Sequence, residues 1–208
     1  MTVAAPVTAS PPAKIPSRVV APFSSATRHP LRLVSNPSVV ILSSGFGGWG
    51  SILEFGEHKR EMFGGEANTT NNRMELTAVI EAFKALNQGG QTVEVFTDSA
   101  YVANCFREKW YESWEKNKWK NAARKSVENQ ELWRELLALV RQHDVKFYRV
   151  KGHVNLKSKS TDFDKLYEKF VSWNGSRFTF EDFEYITTMN NRADELANMG
   201  IDRIKGEM

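Results

Sequence analysis

A mixed α/β sheet is the fold this sequence predicts, with three antiparallel strands first and two parallel strands after them, flanked by helices. Two observations predict it. Strand-like runs at 38–42, 47–55 and 58–66 are joined by short glycine-containing links, which suit an antiparallel meander. Beyond residue 70 helical and strand patterns alternate, and strands separated by helices pair in parallel. A chain of 208 residues with 41% hydrophobic side chains can bury one core of this kind.

Each element has its own signal. Residues 1–37 hold all seven prolines and many Ala, Ser and Thr, and are expected to be an unfolded or mis-assigned N-terminal tail. Their acid-free, Arg- and Ser-containing composition also fits an organellar transit peptide, although the prolines oppose the amphipathic helix such a peptide needs. The folded domain is expected over 38–208, opening with the buried strand Ser38-Val39-Val40-Ile41-Leu42. Apolar spacing predicts a helix from Asn72 to Asn87, with Met74, Ala78, Phe83 and Leu86 inward and Gly89-Gly90 as the stop. Thr92–Thr97 alternates as a strand, a helix starts near Ser99, and another spans Asn129–His143. Asp144–Val150 is the fifth strand. Residues 154–189 read as a helical insertion with two capping signals, Thr161-Asp162-Phe163-Asp164 and Thr179-Phe180-Glu181-Asp182.

Charge narrows the function. The net charge is +3, but four of the 28 Lys and Arg residues precede Glu54, the first acid, leaving 24 bases against 25 acids. Any attraction for nucleic acid must therefore come from a local patch. Cys105 is the single cysteine, so no intramolecular disulfide can form and a reducing, cytoplasmic setting is expected. It sits in a helix-like run and reads as a packed thiol rather than a nucleophile. No apolar run is long enough to span a bilayer.

Acids occur at the ends of separate elements. Glu75 follows Asn71-Asn72-Arg73-Met74 near the start of a helix, Asp98 closes a strand in Phe96-Thr97-Asp98-Ser99, and Asp194 stands in Asn190-Asn191-Arg192-Ala193-Asp194-Glu195. His153 follows a strand in Val150-Lys151-Gly152-His153. Each acid taken singly could be a helix-terminal charge. Together, these motifs resemble type 1 ribonuclease H, which cuts the RNA strand of RNA–DNA hybrids. The resemblance covers residues 47–153 and 190–200.

That resemblance implies the ribonuclease H-like form of the predicted sheet. It assigns Glu75, Asp98 and Asp194 as ligands of magnesium, with manganese as an alternative, and His153 as a proton shuttle on a mobile loop. Two such ions roughly 4 Å apart can activate water and relieve charge on the leaving oxygen. It also implies hybrid contacts by Thr70, Asn71, Asn72 and Arg73, although Arg73 has Glu75 and Asp98 as rival partners. Trp110, Trp114 and Trp119, interleaved with Lys116, Lys118 and Lys120, resemble the family's basic protrusion, though their spacing also fits a packed helix face.

One family feature is missing. Its first aspartate, in Thr-Asp-Gly-Ser at the end of the first strand, has no counterpart here, and superposing the strands puts Ser44 at that position. Either activity is weakened or lost, or the segment before about residue 45 is not the natural first strand. The expected function is a metal-dependent endoribonuclease acting on RNA–DNA hybrids, as a monomer. The alternatives are an inactive hybrid-binding module and, more remotely, a transposase or reverse-transcriptase relative. The 40 residues between His153 and Asp194 are expected to form a lid-like appendage beside the site.

Overall fold

The structure is a computed structural model that describes residues 31–39, 45–86 and 88–207, with side chains given for only the first four residues of the opening stretch. Its five-stranded sheet has the order β3-β2-β1-β4-β5. The strands are β1 (Leu31–Val39), β2 (Gly47–Phe55), β3 (His58–Glu66), β4 (Thr92–Thr97) and β5 (Asp144–Arg149). β1, β2 and β3 pair antiparallel, while β4 runs parallel to both β1 and β5. This is the predicted mixed sheet.

The first strand corrects the sequence reading. β1 begins at Leu31, inside the expected tail, rather than at Ser38. Pro37 had argued against a strand there. It lies beyond Ser35, the last β1 residue paired with β4, so its missing N–H removes no bond on that side. Val40–Leu42 and Ser44 lie outside the described residues, as do residues 1–30.

Alternation along the strands sends side chains to two cores. Leu33, Leu53, Val95 and Phe147 face one side, where they meet α1 (Asn71–Lys84), α2 (Ala100–Arg107) and α4 (Gln130–Val140). Val34, Ile52, Phe96 and Tyr148 face the other, against α5 (Phe163–Asn174) and α6 (Phe180–Gly206). Both faces of the sheet are therefore covered, and burial of these side chains drives the assembly.

The insertion is not a lid. The predicted caps are present: the Asp162 side chain accepts from Lys165 N–H, and Thr179 and Asp182 form a reciprocal capping box. The second helix, however, does not stop before the Asn190 motif. It continues as the 27-residue α6, so residues 180–189 of the insertion are the front end of the helix that carries Asp194. Phe170, Phe178, Phe183 and Ile186 of the inserted segment are buried in the second core.

Glycines set how closely α6 lies on the sheet. A Cβ at Gly48 would fall 1.9 Å from the Ala197 carbonyl oxygen, and one at Gly50 would fall 2.1 Å from that of Ala193. These glycines within the second strand let the backbone of α6 rest directly on β2.

Candidate active site

Glu75, Asp98, Asp194 and His153 meet at the carboxyl end of β4. α1 starts at Asn71 and is capped by the Thr70 hydroxyl, which accepts from Arg73 N–H, so Glu75 lies one turn inside the helix. α2 is capped by Ser99, whose hydroxyl accepts from Val102 N–H at 3.1 Å. Neither Glu75 nor Asp98 is therefore the residue that caps its helix. Asp98 follows β4 directly. Asp194 is positioned by α6, between the two residues whose carbonyls touch Gly50 and Gly48.

The side chains interlock. Glu75 is buried, and its Oε1 accepts from Asn71 Nδ2 at 2.7 Å while Oε2 accepts from the Ser99 hydroxyl. Burial pushes its carboxyl up to about 7, with the neighbouring charge of Asp98 adding to the rise and the Ser99 and Asn71 bonds opposing it. Burial likewise raises Asp98 to about 6; His153 opposes this, Asp194 reinforces it, and a bond from Asn190 helps hold the charge. Asp98 thus feels both other acids. Oδ1 of Asp194 is buried and has no hydrogen-bond partner, and Oδ2 is 3.5 Å from His153 Nδ1.

The chain around His153 is fixed on both sides. A Cβ at Gly152 would lie 2.2 Å from Asp98 Oδ2, so only glycine lets the strand end pass so close to the carboxylate. On the other side Asn191 Nδ2 donates to the Val154 carbonyl at 2.7 Å, tying the loop to α6. His153 itself has φ 54° and is 71% exposed, so its imidazole reaches solvent. Sequence reasoning missed Gly152, Ser99, Asn190 and Asn191. The last two lie within the quoted Asn-Asn-Arg-Ala-Asp motif, which was the available signal.

The expected substrate contacts divide. Asn71 is exposed beside Glu75 and Asn72 is half-buried, both in the first turn of α1. Arg73 pairs with Glu131 of α4, not with Glu75 or Asp98. Lys116, Lys118 and Lys120 are exposed at and after the end of α3 (Trp110–Lys116). The tryptophans are mainly scaffold. Trp119 is buried with Arg134 over its ring at 4.5 Å. Trp114 packs between Trp110, Trp119 and the fully buried Trp133. Trp119 is therefore a core residue and has no free face for a base, while Trp110 and Trp114 are half-buried.

A hard divalent cation suits these oxygen donors, and the buried, partnerless Asp194 Oδ1 beside Asp98 is an atom such an ion would satisfy. Among the described residues no three His, Cys, Asp or Glu side chains already form a metal-holding cluster. Glu75 is turned into its bonds with Asn71 and Ser99, which leaves Asp98 and Asp194 as the available pair.

Comparison with known proteins identifies the family and the fold. The RNase H family profile matches residues 39–171, more than half of the chain. A ribonuclease H of Syntrophomonas wolfei is 50% identical over 109 residues, covering 52% of this chain and 75% of that protein. One from Neisseria meningitidis serogroup C is 54% identical over 109 residues, covering 52% and 74%. The fold is shared with LC9-RNase H1, described as a type 1 RNase H with the type 2 active-site motif, at TM-score 0.54, 23% identity and coverage of 82% and 87%. The solution structure of the PFV RNase H domain aligns at TM-score 0.55, 19% identity and coverage of 86% and 98%. LC11-RNase H1, solved in complex with an RNA/DNA hybrid, aligns at TM-score 0.51, 17% identity and coverage of 84% and 98%. Among the described residues no helix is long and apolar enough to cross a membrane. This chain belongs to the RNase H family.

Proposed function

We propose that the chain is an endonuclease that hydrolyses the RNA strand of RNA–DNA hybrids with the help of divalent metal ions, magnesium in the first place. The observation that carries this reading is the run of mutually coupled acids from Glu75 through Asp98 to Asp194, with His153 at its open end. Burying like charges together is costly unless a cation joins them. A bound ion would activate water and stabilise the charge that develops at phosphorus and on the leaving oxygen.

The chain's own residues supply the rest. Asp98 and Asp194 would be the principal ligands, with Glu75 held in reserve by Asn71 and Ser99, and the remaining positions left to water and substrate oxygens. His153 presents Nδ1 to Asp194, which leaves Nε2 as the nitrogen to give or take a proton. The exposed Asn71 and the lysines 116, 118 and 120 are suited to the sugar hydroxyls and phosphates of a hybrid. Recognition of this kind is indifferent to base sequence.

The absent first acid supports a second reading, a hybrid-binding module with impaired cutting. The position at issue shifts with β1. Ser35 pairs with Thr97, so the next residue, Asn36, falls at the register position beside Asp98, rather than Ser44. Neither residue carries charge. A cleavage assay on hybrid labelled in either strand, with magnesium and then manganese, separates the readings. RNA-strand cutting that is lost in Glu75→Gln and Asp98→Asn supports the enzyme. Tight binding without cutting supports the module, and Asn36→Asp should then raise the rate by at least tenfold. Cutting that is unchanged in Asp98→Asn would refute the assignment.

A further inference from the structure

Three cations gather at Trp173 of the inserted helix α5, two over its indole and one at its backbone carbonyl. Arg149, the last residue of β5, has its guanidinium 4.4 Å from the Trp173 ring centroid, and Lys169 Nζ lies 5.1 Å from the same centroid. Arg107, at the end of α2, donates to the Trp173 backbone carbonyl. The Asn174 side chain clamps this end of α5 to β5, accepting from Arg149 N–H at 2.9 Å and donating to the Arg149 carbonyl at 2.8 Å. Helices from opposite faces of the sheet thus meet around its edge strand with three positive charges.

No acid answers them. Among the described residues none of the three cations forms an ion pair, and Arg149 Nε is buried without a hydrogen-bond partner. Glu108, next to Arg107, accepts instead from the Trp110 indole. Glu168 precedes Lys169 directly, and adjacent helix residues do not face the same way. Like charges gathered at one residue repel, and an anion is the natural counterpart.

The location fits a substrate that passes the carboxylates. Three peptide steps lead from Arg149 to Gly152, whose backbone touches Asp98. They span at most about 10 Å, which is roughly three base pairs along a nucleic-acid helix. Resting on the functional reading above, the geometry points to a phosphate-binding subsite formed by Arg107, Arg149 and Lys169 around Trp173, which grips the backbone of the hybrid a few nucleotides from the cut. The insertion then serves to extend the substrate footprint.

The test is hybrid binding in calcium, which separates binding from cutting, measured for wild type and Arg107→Gln/Lys169→Gln at several salt concentrations. Each lost phosphate contact should make log Kd against log salt shallower by about 0.9. The double variant should therefore lose about 1.8 of slope, and its deficit at low salt should shrink roughly tenfold between about 50 and 200 mM salt. Its melting temperature should be unchanged, and Lys169→Gln should show half the slope effect. An unchanged slope with a lowered melting temperature would overturn the inference and leave the cluster as a latch for α5. A wild-type protein that fails to bind hybrid would defeat the functional reading first and this subsite with it.

Discussion

Two acids four residues apart on one chain segment, Glu94 buried and Asp98 half-buried, show different solutions to one problem. Glu94, in the middle of β4, is paired with Arg177, which also reaches the Tyr148 hydroxyl at 2.8 Å. Four residues on, Asp98 feels the charges of Glu75 and Asp194, with His153 and Asn190 opposing them. The first arrangement meets one carboxylate oxygen with a cation drawn from the insertion itself, while Glu94 Oε2 is buried without a hydrogen-bond partner. The second is left open toward a ligand. Burial of charge is tolerated in both places, but Glu94 is met by a guanidinium, whereas at Asp98 the exposed His153 and a bond from Asn190 stand against two neighbouring acids.

The largest way to break this contrast is through activity. Asp194→Asn should reduce RNA-strand cleavage at least a thousandfold while the protein stays folded, since removing one of several like charges relieves repulsion. Steady-state kinetics on a labelled hybrid measures the loss, and denaturant melts measure the stability. Arg177→Met should do the reverse, leaving kcat within twofold and costing about 2 kcal/mol, because it strands Glu94 without its partner. Comparable activity loss in both variants would erase the distinction.

Stability against pH sharpens it further. Glu75 is raised in the folded state from its ordinary 4.5 to about 7. The native protein therefore holds a proton that the unfolded chain releases, and between those two values its stability falls as pH rises. The loss is at most on the order of 3 kcal/mol. Urea melts of metal-free protein at the two ends of this window should show it, and Glu75→Gln should flatten the slope. Stability that rises across the window would contradict the assigned burial.

The smallest expected effect tests how His153 is held. Asn191→Ala removes the bond to Val154 O. It should lower kcat severalfold with KM unchanged, and have no further effect in a His153→Ala background. Additive losses would mean that Asn191 acts elsewhere.

The paired regions also explain what was legible in the sequence. Strands β2 to β5, helix α1 and the caps at Thr179 and Asp162 could be read because each depends on a few neighbouring residues. Glu75, Asp98 and Asp194 stood out as motifs. Glu94 and Arg177 did not, because they are 83 residues apart and meet only through the fold. α6 was cut at the edge of a familiar motif, although its apolar spacing runs through. The start of β1 was hidden by prolines, whose effect depends on which side of the strand is paired. The three tryptophans look alike as letters, and only packing against Trp133 and Arg134 separates Trp119 from a surface that can meet a substrate.

The central claim is that the acids beside β4 are arranged for a divalent cation. Thermal melts with and without magnesium, for wild type and Asp98→Asn, test it without relying on turnover. Magnesium at about a hundred times its Kd should add roughly 2.7 kcal/mol, a rise of several degrees for wild type, and should leave Asp98→Asn unmoved. An equal rise in both proteins, or none in wild type, would contradict the claim.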